Sequence, residues 1–265
     1  MDNTYWFRQD IDKPLFPDII WSKPENKNQA GKLLIVGGSA QSFAKVAYSY
    51  QQALKAGIGQ IKVLLPDVLK KTIDQLLPGC EFAPSTPSGS FGSRSLDTIL
   101  ELSNWADGIL FPGDLGRNSE TAIVLEKFLR SSSSQITITR DAVDYFRDRP
   151  KDLLERKNTT LVVSFADLQR LISNAGFPKA LVFEMELLRF VDILHELSLL
   201  YKANIICLKN TQLFVSSEGK VSSTNLGVEP TSWRIKTAAA ASSYLLQNHN
   251  KVFEALTTSL LVGLS

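Results

Sequence analysis

The sequence predicts an α/β fold, a mostly parallel sheet covered by helices on both faces. Three observations lead there. Short apolar runs alternate with helical patterns along most of the chain, which is the mark of βαβ units. Several of these runs are β-branched or wholly apolar, such as "QITIT", "TTLVVS" and "GILF", as strands buried on both faces require. The runs end at turn-forming stretches such as "GGSAQS" and "PGDLGRN".

Taken in order, residues 1–30 hold three Pro with Trp6, Phe7, Phe16 and Trp21 interspersed, and read as an arm wrapped over the domain. Residues 31–265 read as one domain. A strand over 33–36 leads to a helix over 42–56, a strand over 61–65 and a helix over 68–77. "CEFAPSTPSGSFGSRS", residues 80–95, reads as a surface loop leading to a helix that ends near Trp105. "GILF", a helix over 120–130, "QITIT" and "TTLVVS" continue the rhythm. Helices over 166–172 and 179–200 precede the strand "NIICL". A hairpin follows whose turn falls near Glu218 and Gly219, then helices over 235–246 and 252–261.

Composition narrows the function. The chain has 265 residues, 44% hydrophobic and 21% charged, with 29 Lys plus Arg against 27 Asp plus Glu. A formal net charge of +2 gives no reason to expect nucleic acid or an anionic membrane as partner. Cys80 and Cys207 lie far apart with no CxxC spacing, and neither His195 nor His249 has a ligand-spaced partner, so no metal site is read from the sequence. The first twenty residues lack a basic segment followed by a long apolar run, so a cytoplasmic location is expected. "ALVFEMELLRFVDILHELSLLY" is too charged to span a membrane.

Parallel sheets bind ligands outside the carboxyl ends of their strands, so the loops there carry the candidate residues. Gly37, Gly38 and Ser39 open a helix, where free amides and the helix dipole favour an anion; a plain tight corner is the alternative, and the residues alone favour it. Ala44 and Val46 exclude a P-loop, and no GxGxxG is present. Gly113 and Gly116 could let backbone approach a ligand closely, or mark a helix start capped by Asn118 or Ser119. Asp141 follows "QITIT" as either a strand-end carboxylate or a helix cap.

With these loops in view, "GKLLIVGGSAQSFAKVAYSYQQALKAGIGQIKVLLP" resembles the opening of the NAD(P)H-hydrate dehydratase family of the ribokinase-like fold. "ADGILFPGDLGRN" is similar to that family's A-D-A-x-x-x-G-P-G-L-G-R, and "VFEALTTSLLVG" to its closing helix. The resemblance spans residue 22 to the C-terminus. It implies a ribokinase-like three-layer sandwich and a carbon–oxygen lyase related to carbohydrate kinases. Such an enzyme uses ADP or ATP, with magnesium, to drive loss of water from hydrated NADH or NADPH. It also implies a homo-oligomer.

By the same resemblance, the residues facing the phosphorylated nucleotide and the hydrated cofactor are Gly37, Gly38, Ser39, Ala44, Lys45, Gly113, Gly116, Ser164, Lys209, Thr231 and Ser232. Asp141 and Asp167 are the remaining candidate catalytic carboxylates. The family motif G-[TS]-G-D is absent: Thr231, Ser232 and Trp233 stand in place of its first three residues, and Arg234 replaces its catalytic Asp. An arginine stays protonated and cannot serve as a base. T-P-H-P-G-E becomes "VVSFAD", D-A-D-A becomes "TRDA", and K-G-A-G-T becomes "KNTQL".

Three functions are therefore in play. The leading one is a divergent dehydratase-like protein with weak or no turnover that keeps nucleotide binding. The second is an interaction or scaffold protein whose cleft is filled by Trp233 and Phe165. The third is a small-molecule kinase built on Asp141 or Asp167.

Overall fold

The computed structural model describes residues 4–73, 79–228 and 231–262. β1 (Trp6–Gln9) and α1 (Pro17–Trp21) come from the stretch expected as an arm. The arm thus enters the fold: β1 pairs with a strand more than 200 residues away, Trp6 opposite Val221. Trp6 Nε1 donates to Ser223 Oγ at 2.9 Å and Gln9 Nε2 to the Thr257 carbonyl at 2.8 Å, fixing both ends of the strand.

β2 (Lys32–Val36), α2 (Ala44–Lys55) and β3 (Gln60–Pro66) form the first βαβ unit. The next helical stretch starts as a 3-10 turn over Asp67–Leu69 and continues as α3 (Lys70–Ile73); the rest of the helix expected to residue 77 lies outside the described residues. β4 (Cys80–Ala83) corrects the expected loop, whose first residues pair with the free edge of β3, Val63 opposite Cys80. α4 (Ser95–Trp105), β5 (Gly108–Phe111), α5 (Ser119–Ser131) and β6 (Gln135–Thr139) follow as expected.

Two short helices, α6 (Asp141–Asp144) and α7 (Lys151–Leu154), precede β7 (Thr159–Ser164) and α8 (Phe165–Asn174). α9 (Leu187–Leu200) begins eight residues later than its apolar pattern suggests. The segment before it is instead tied to distant side chains, Gln169 Nε2 donating to the Leu181 carbonyl and Lys209 Nζ to the Phe183 carbonyl, each at 2.6 Å. β8 (Asn204–Lys209), β9 (Gln212–Ser217) and β10 (Lys220–Asn225) complete the strands. The β9–β10 turn carries positive φ at Glu218 and Gly219, the geometry that matches strand twist in a two-residue hairpin. α10 (Trp233–Gln247) and α11 (Val252–Val262) close the described chain.

The ten strands make one sheet in the order β1-β10-β9-β8-β7-β6-β5-β2-β3-β4, and β9 alone runs against the rest. Alternate residues serve opposite layers. Leu34 and Val36 pack with Ile99, Phe128, Leu168 and Phe190 on one face, Leu33 and Ile35 with Val46, Ala238, Tyr244 and Phe253 on the other. The run Ala238–Ala241 with Ser242 and Ser243 is buried in α10, and small side chains there let the helix lie close to the sheet and to α2. The chain leaves β2 toward β3 and β4 but returns through β5 on the other side. The carboxyl ends of β2 and β5 therefore flank a topological switch point, where such sheets open a crevice.

Candidate functional site

The turn after β2 is built as a tight corner. The amides of Gly37, Gly38, Ser39 and Ala40 donate to the carbonyls of Leu64, Gly113, Ser42 and Gly89, so all four donors are already committed within the chain. A Cβ at Gly37 would lie 2.6 Å from the Gly113 carbonyl oxygen, and Gly38 has φ 86, so both positions require glycine. Ser39 is buried beneath the corner, whereas Ala44 is exposed at the start of α2.

Lys45, one residue into α2, points across the switch point. Its ammonium pairs with Asp114 Oδ1 and lies 3.4 Å from Asp141 Oδ1. Asp114 Oδ2 accepts from Ser42 Oγ and from the Lys45 amide, both at 2.9 Å. Burial pushes the Asp114 carboxyl up, but the hydrogen bonds from Lys45 and Ser42 outweigh it and hold the group below the usual carboxylate range. Asp141 accepts from two consecutive amides of the loop after β5, Asp114 N at 3.1 Å and Leu115 N at 3.0 Å. It works as an anion seated on that loop; Arg140 stands in the cap position of α6. Gly113, at φ 111, leaves no room for a Cβ against the Asp141 carboxylate.

Gly116 lies beside this group at φ 78, its carbonyl taking the Tyr145 hydroxyl at 2.7 Å. Burial first, and then the Asp141 charge, raise the Tyr145 hydroxyl above its ordinary value, so it stays a donor. Asn118 Oδ1 caps α5, accepting from Glu120 N at 2.8 Å. Next to these residues opens a cleft of about 570 Å³ lined in part by Gly116, Arg117, Ser119, Asp141, Tyr145 and Arg147. That volume falls in the range of small-molecule sites.

The second group sits at the end of β7 and the start of α10. Ser164 caps α8 in a reciprocal box with Asp167: Asp167 N donates to Ser164 Oγ at 3.2 Å and Ser164 Oγ to Asp167 Oδ2 at 2.6 Å. Asp167 also pairs with Arg170, and Arg234 Nη1 donates to its Oδ2 at 2.9 Å. Burial pushes Asp167 up, but Ser164 and the two arginines overcome it and keep the group ionised. Thr231 and Ser232 are exposed, and Ser232 takes the left-handed conformation at φ 56 without capping α10 through its side chain. Trp233 is buried in the core layer shared with Leu208, Leu213 and Ala238. Phe165 packs edge-on to Phe183 with ring centroids 5.5 Å apart. Lys209, 6% exposed, is spent on the Phe183 carbonyl and lies over the Phe165 and Phe183 rings.

Of the residues expected from the sequence, Gly37, Gly38, Ser39, Lys45, Gly113, Gly116 and Asp141 meet at the switch point, with Ala44 at the rim. Ser164 and Asp167 meet at the end of β7 with Arg234, and Thr231 and Ser232 lead into the same helix. Lys209 is turned under the 183 segment. Sequence reading missed Asp114, which stands at a glycine of the family's G-P-G-L-G-R pattern and has a positive φ of 61, a conformation that favours glycine. It also missed Tyr145 and Arg140, the latter at φ 57.

The residues present decide which groups fit. Between Asp114 and Asp141 the Lys45 ammonium takes the place a divalent cation would need. Among the described residues no group of three or more His, Cys, Asp or Glu is arranged to hold a metal ion. An anionic group fits the second cluster, where Arg234 keeps 25% of its side chain exposed. No helix among the described residues is long and apolar enough to cross a membrane.

No family model matches the chain. Curated relatives are bifunctional NAD(P)H-hydrate repair enzymes Nnr. That of Methanothermobacter thermautotrophicus is 35% identical over 97 residues, 37% of this chain and 18% of the relative. That of Dictyoglomus turgidum is 22% identical over 170 residues, 62% of this chain and 33% of the relative. The matched region thus spans a third or less of these relatives. Among solved structures, a ribokinase-like superfamily protein of Enterococcus faecalis superposes with a TM-score of 0.70 at 16% identity, covering 98% of this chain and 87% of that one. The ADP/ATP-dependent NAD(P)H-hydrate dehydratase of Bacillus subtilis, co-crystallised with ATP/Mg2+, superposes with a TM-score of 0.60 at 11% identity, covering 93% and 85%. The fold is ribokinase-like, and the chain resembles the NAD(P)H-hydrate dehydratases in sequence.

Proposed function

We propose that this chain is a divergent NAD(P)H-hydrate dehydratase-like protein that does not turn over the hydrate and that binds a phosphorylated nucleotide, ADP or ATP, at the carboxyl edge of its sheet. The observation that carries this reading is the Arg234–Asp167 ion pair. Dehydration of this kind needs a carboxylate free to accept a substrate proton and backbone amides free to hold the transferring phosphoryl group. Arg234 is a permanent cation at the position where the resemblance calls for that carboxylate, and Asp167 is neutralised by Arg234 and Arg170. The amides of the corner after β2 are engaged as well, and Asp141 is held by Lys45 and two amides. A kinase built on Asp141 or Asp167 meets the same obstacle, since both carboxylates are tied.

A nucleotide still finds Arg234 at the start of α10 and, apart from it, an open cleft of suitable size whose lining carries Arg117 and Arg147 beside Asp141, Asp144 and Asp148. Thermal shift with ADP, ATP, NADH and NADPH tests the binding, because a ligand at about a hundred times its Kd stabilises by about 2.7 kcal/mol. Stabilisation by ADP or ATP is expected; no shift with either at millimolar concentration removes the nucleotide.

A second reading, an interaction protein on the same fold, has its own observation. Val182, Phe183, Leu187 and Leu188 are large apolar side chains left exposed along the segment entering α9. Chemical cross-linking of the purified chain, alone and with candidate partners, tests it; no product through this segment counts against it.

A further inference from the structure

We propose that Arg140 and Arg234 form a guanidinium pair that holds the phosphate of the ligand, with Asp167 acting as an internal anion that keeps Arg234 in place until the ligand arrives. The proposal rests on the nucleotide reading above and assigns its anionic group to two specific residues.

Adjacent strands bring the pair together. Thr139 of β6 stands opposite Val162 of β7, so Arg140 and the Ser164–Asp167 cap leave the sheet side by side. α10 packs across β6 and β7, and Arg234, its second residue, reaches into that gap to Asp167. The arginines outnumber the carboxylate available to them. Asp167 is shared between Arg170 and Arg234, and the Arg140 side chain has no hydrogen-bond or ion-pair partner among the described residues.

Nearby carboxylates are committed elsewhere. Asp144 pairs with Arg147 at 3.0 Å, and Asp141 with Lys45 and the amides of Asp114 and Leu115. Burial lowers the Arg234 pKa most, and the like charge of Arg140 lowers it further, while Asp167, Asp144 and Asp141 act in the opposite sense. Two cations that leave one edge of the sheet around the single carboxylate of Asp167, Arg140 without a partner of its own among the described residues, suit a dianion, and a guanidinium fork fits the geometry of phosphate oxygens. The charges that make Arg234 useless as a base are the ones that recognise phosphate.

The test compares ADP, adenosine and inorganic pyrophosphate on the unsubstituted chain, Arg140→Gly and Arg234→Gln. Glycine suits the φ of 57 at position 140, so Arg140→Gly removes the guanidinium without adding backbone strain. By isothermal titration each variant is expected to bind ADP at least about tenfold more weakly, with adenosine affinity unchanged, as loss of a charged hydrogen bond implies. ADP binding equal to that of the unsubstituted chain in both variants overturns the pair and leaves the nucleotide reading standing. If the unsubstituted chain binds neither ADP nor ATP, the nucleotide reading falls and pyrophosphate decides the pair. Thermal stabilisation by pyrophosphate that disappears in Arg140→Gly supports it, and stabilisation that is absent or equal in both overturns it.

Discussion

Arg234 Nη1 donates to Asp167 Oδ2 at 2.9 Å, joining the first turn of α10 to the cap of α8 across the ends of β6 and β7. A cation thus stands at the helix start, and the nearest carboxylate is bound to it. The same pattern recurs at the switch point, where the Lys45 ammonium sits between Asp114 and Asp141. In both places a carboxylate that could have moved a proton is held as a partner in a salt bridge.

Arg234→Asp sets two carboxylates against each other in a partly buried place. It is expected to lower stability by about 1–3 kcal/mol in urea denaturation. It is also expected to give no dehydratase turnover, because Thr231, Ser232 and the buried Trp233 still replace the glycine turn.

Asp114 gives a pH dependence whose sign is fixed. Its folded pKa lies below the ordinary value of 3.8, so its stabilisation is present above that value and is lost as the pH falls through the lower folded value. Asp114→Asn is expected to be less stable than the unsubstituted chain at neutral pH, the gap narrowing below about pH 4. Denaturation midpoints measured across this range check it; a gap that widens in acid contradicts the assignment.

Gly113→Ala presses a methyl group onto the Asp141 carboxylate at a φ of 111, whereas Gly176→Ala, at φ 77, meets nothing within 4 Å. The second substitution is expected to cost about 1 kcal/mol of backbone strain, and the first about 3 kcal/mol or more. Paired thermal melts of the two variants check the difference.

Arg156 ties the amino-terminal ends of β6 and β7. Its guanidinium donates to the carbonyls of Ser132 at 2.8 Å, Ser134 at 2.9 Å and Lys157 at 3.0 Å, and to Thr159 Oγ1 at 2.9 Å. Arg156→Ala is expected to destabilise by about 2–4 kcal/mol by stranding these acceptors, and Arg156→Lys by nearly as much because one ammonium cannot reach them all. Urea denaturation of both variants measures it.

The βαβ rhythm was legible because "GILF", "QITIT" and "TTLVVS" are short buried runs whose composition suits a parallel strand. β1 was not, because the strand it joins lies at Val221–Thr224 and no local pattern encodes so distant a pairing. The start of α9 was misplaced because the apolar pattern continues through a segment that is tied instead to Gln169 and Lys209, contacts that local periodicity does not encode. At the candidate site, loop position was readable but bonding was not. Gly37, Gly38 and Ser39 read as either a tight corner, which the residues alone favoured, or an anion site, which the family resemblance favoured, and only tertiary contacts reveal where their amides go. Asp114 was hidden because an acidic residue at a glycine position reads as an irregular loop until its positive φ and its Lys45 partner are seen.

The most direct measurement is the recovery of reduced-nicotinamide absorbance from hydrated NADPH, with ADP or ATP and magnesium, by the unsubstituted chain. The expected result is no nucleotide-dependent recovery above a protein-free control, because Arg234 and Asp167 neutralise each other where the reaction needs a free base. Repeated nucleotide-dependent turnover would contradict it.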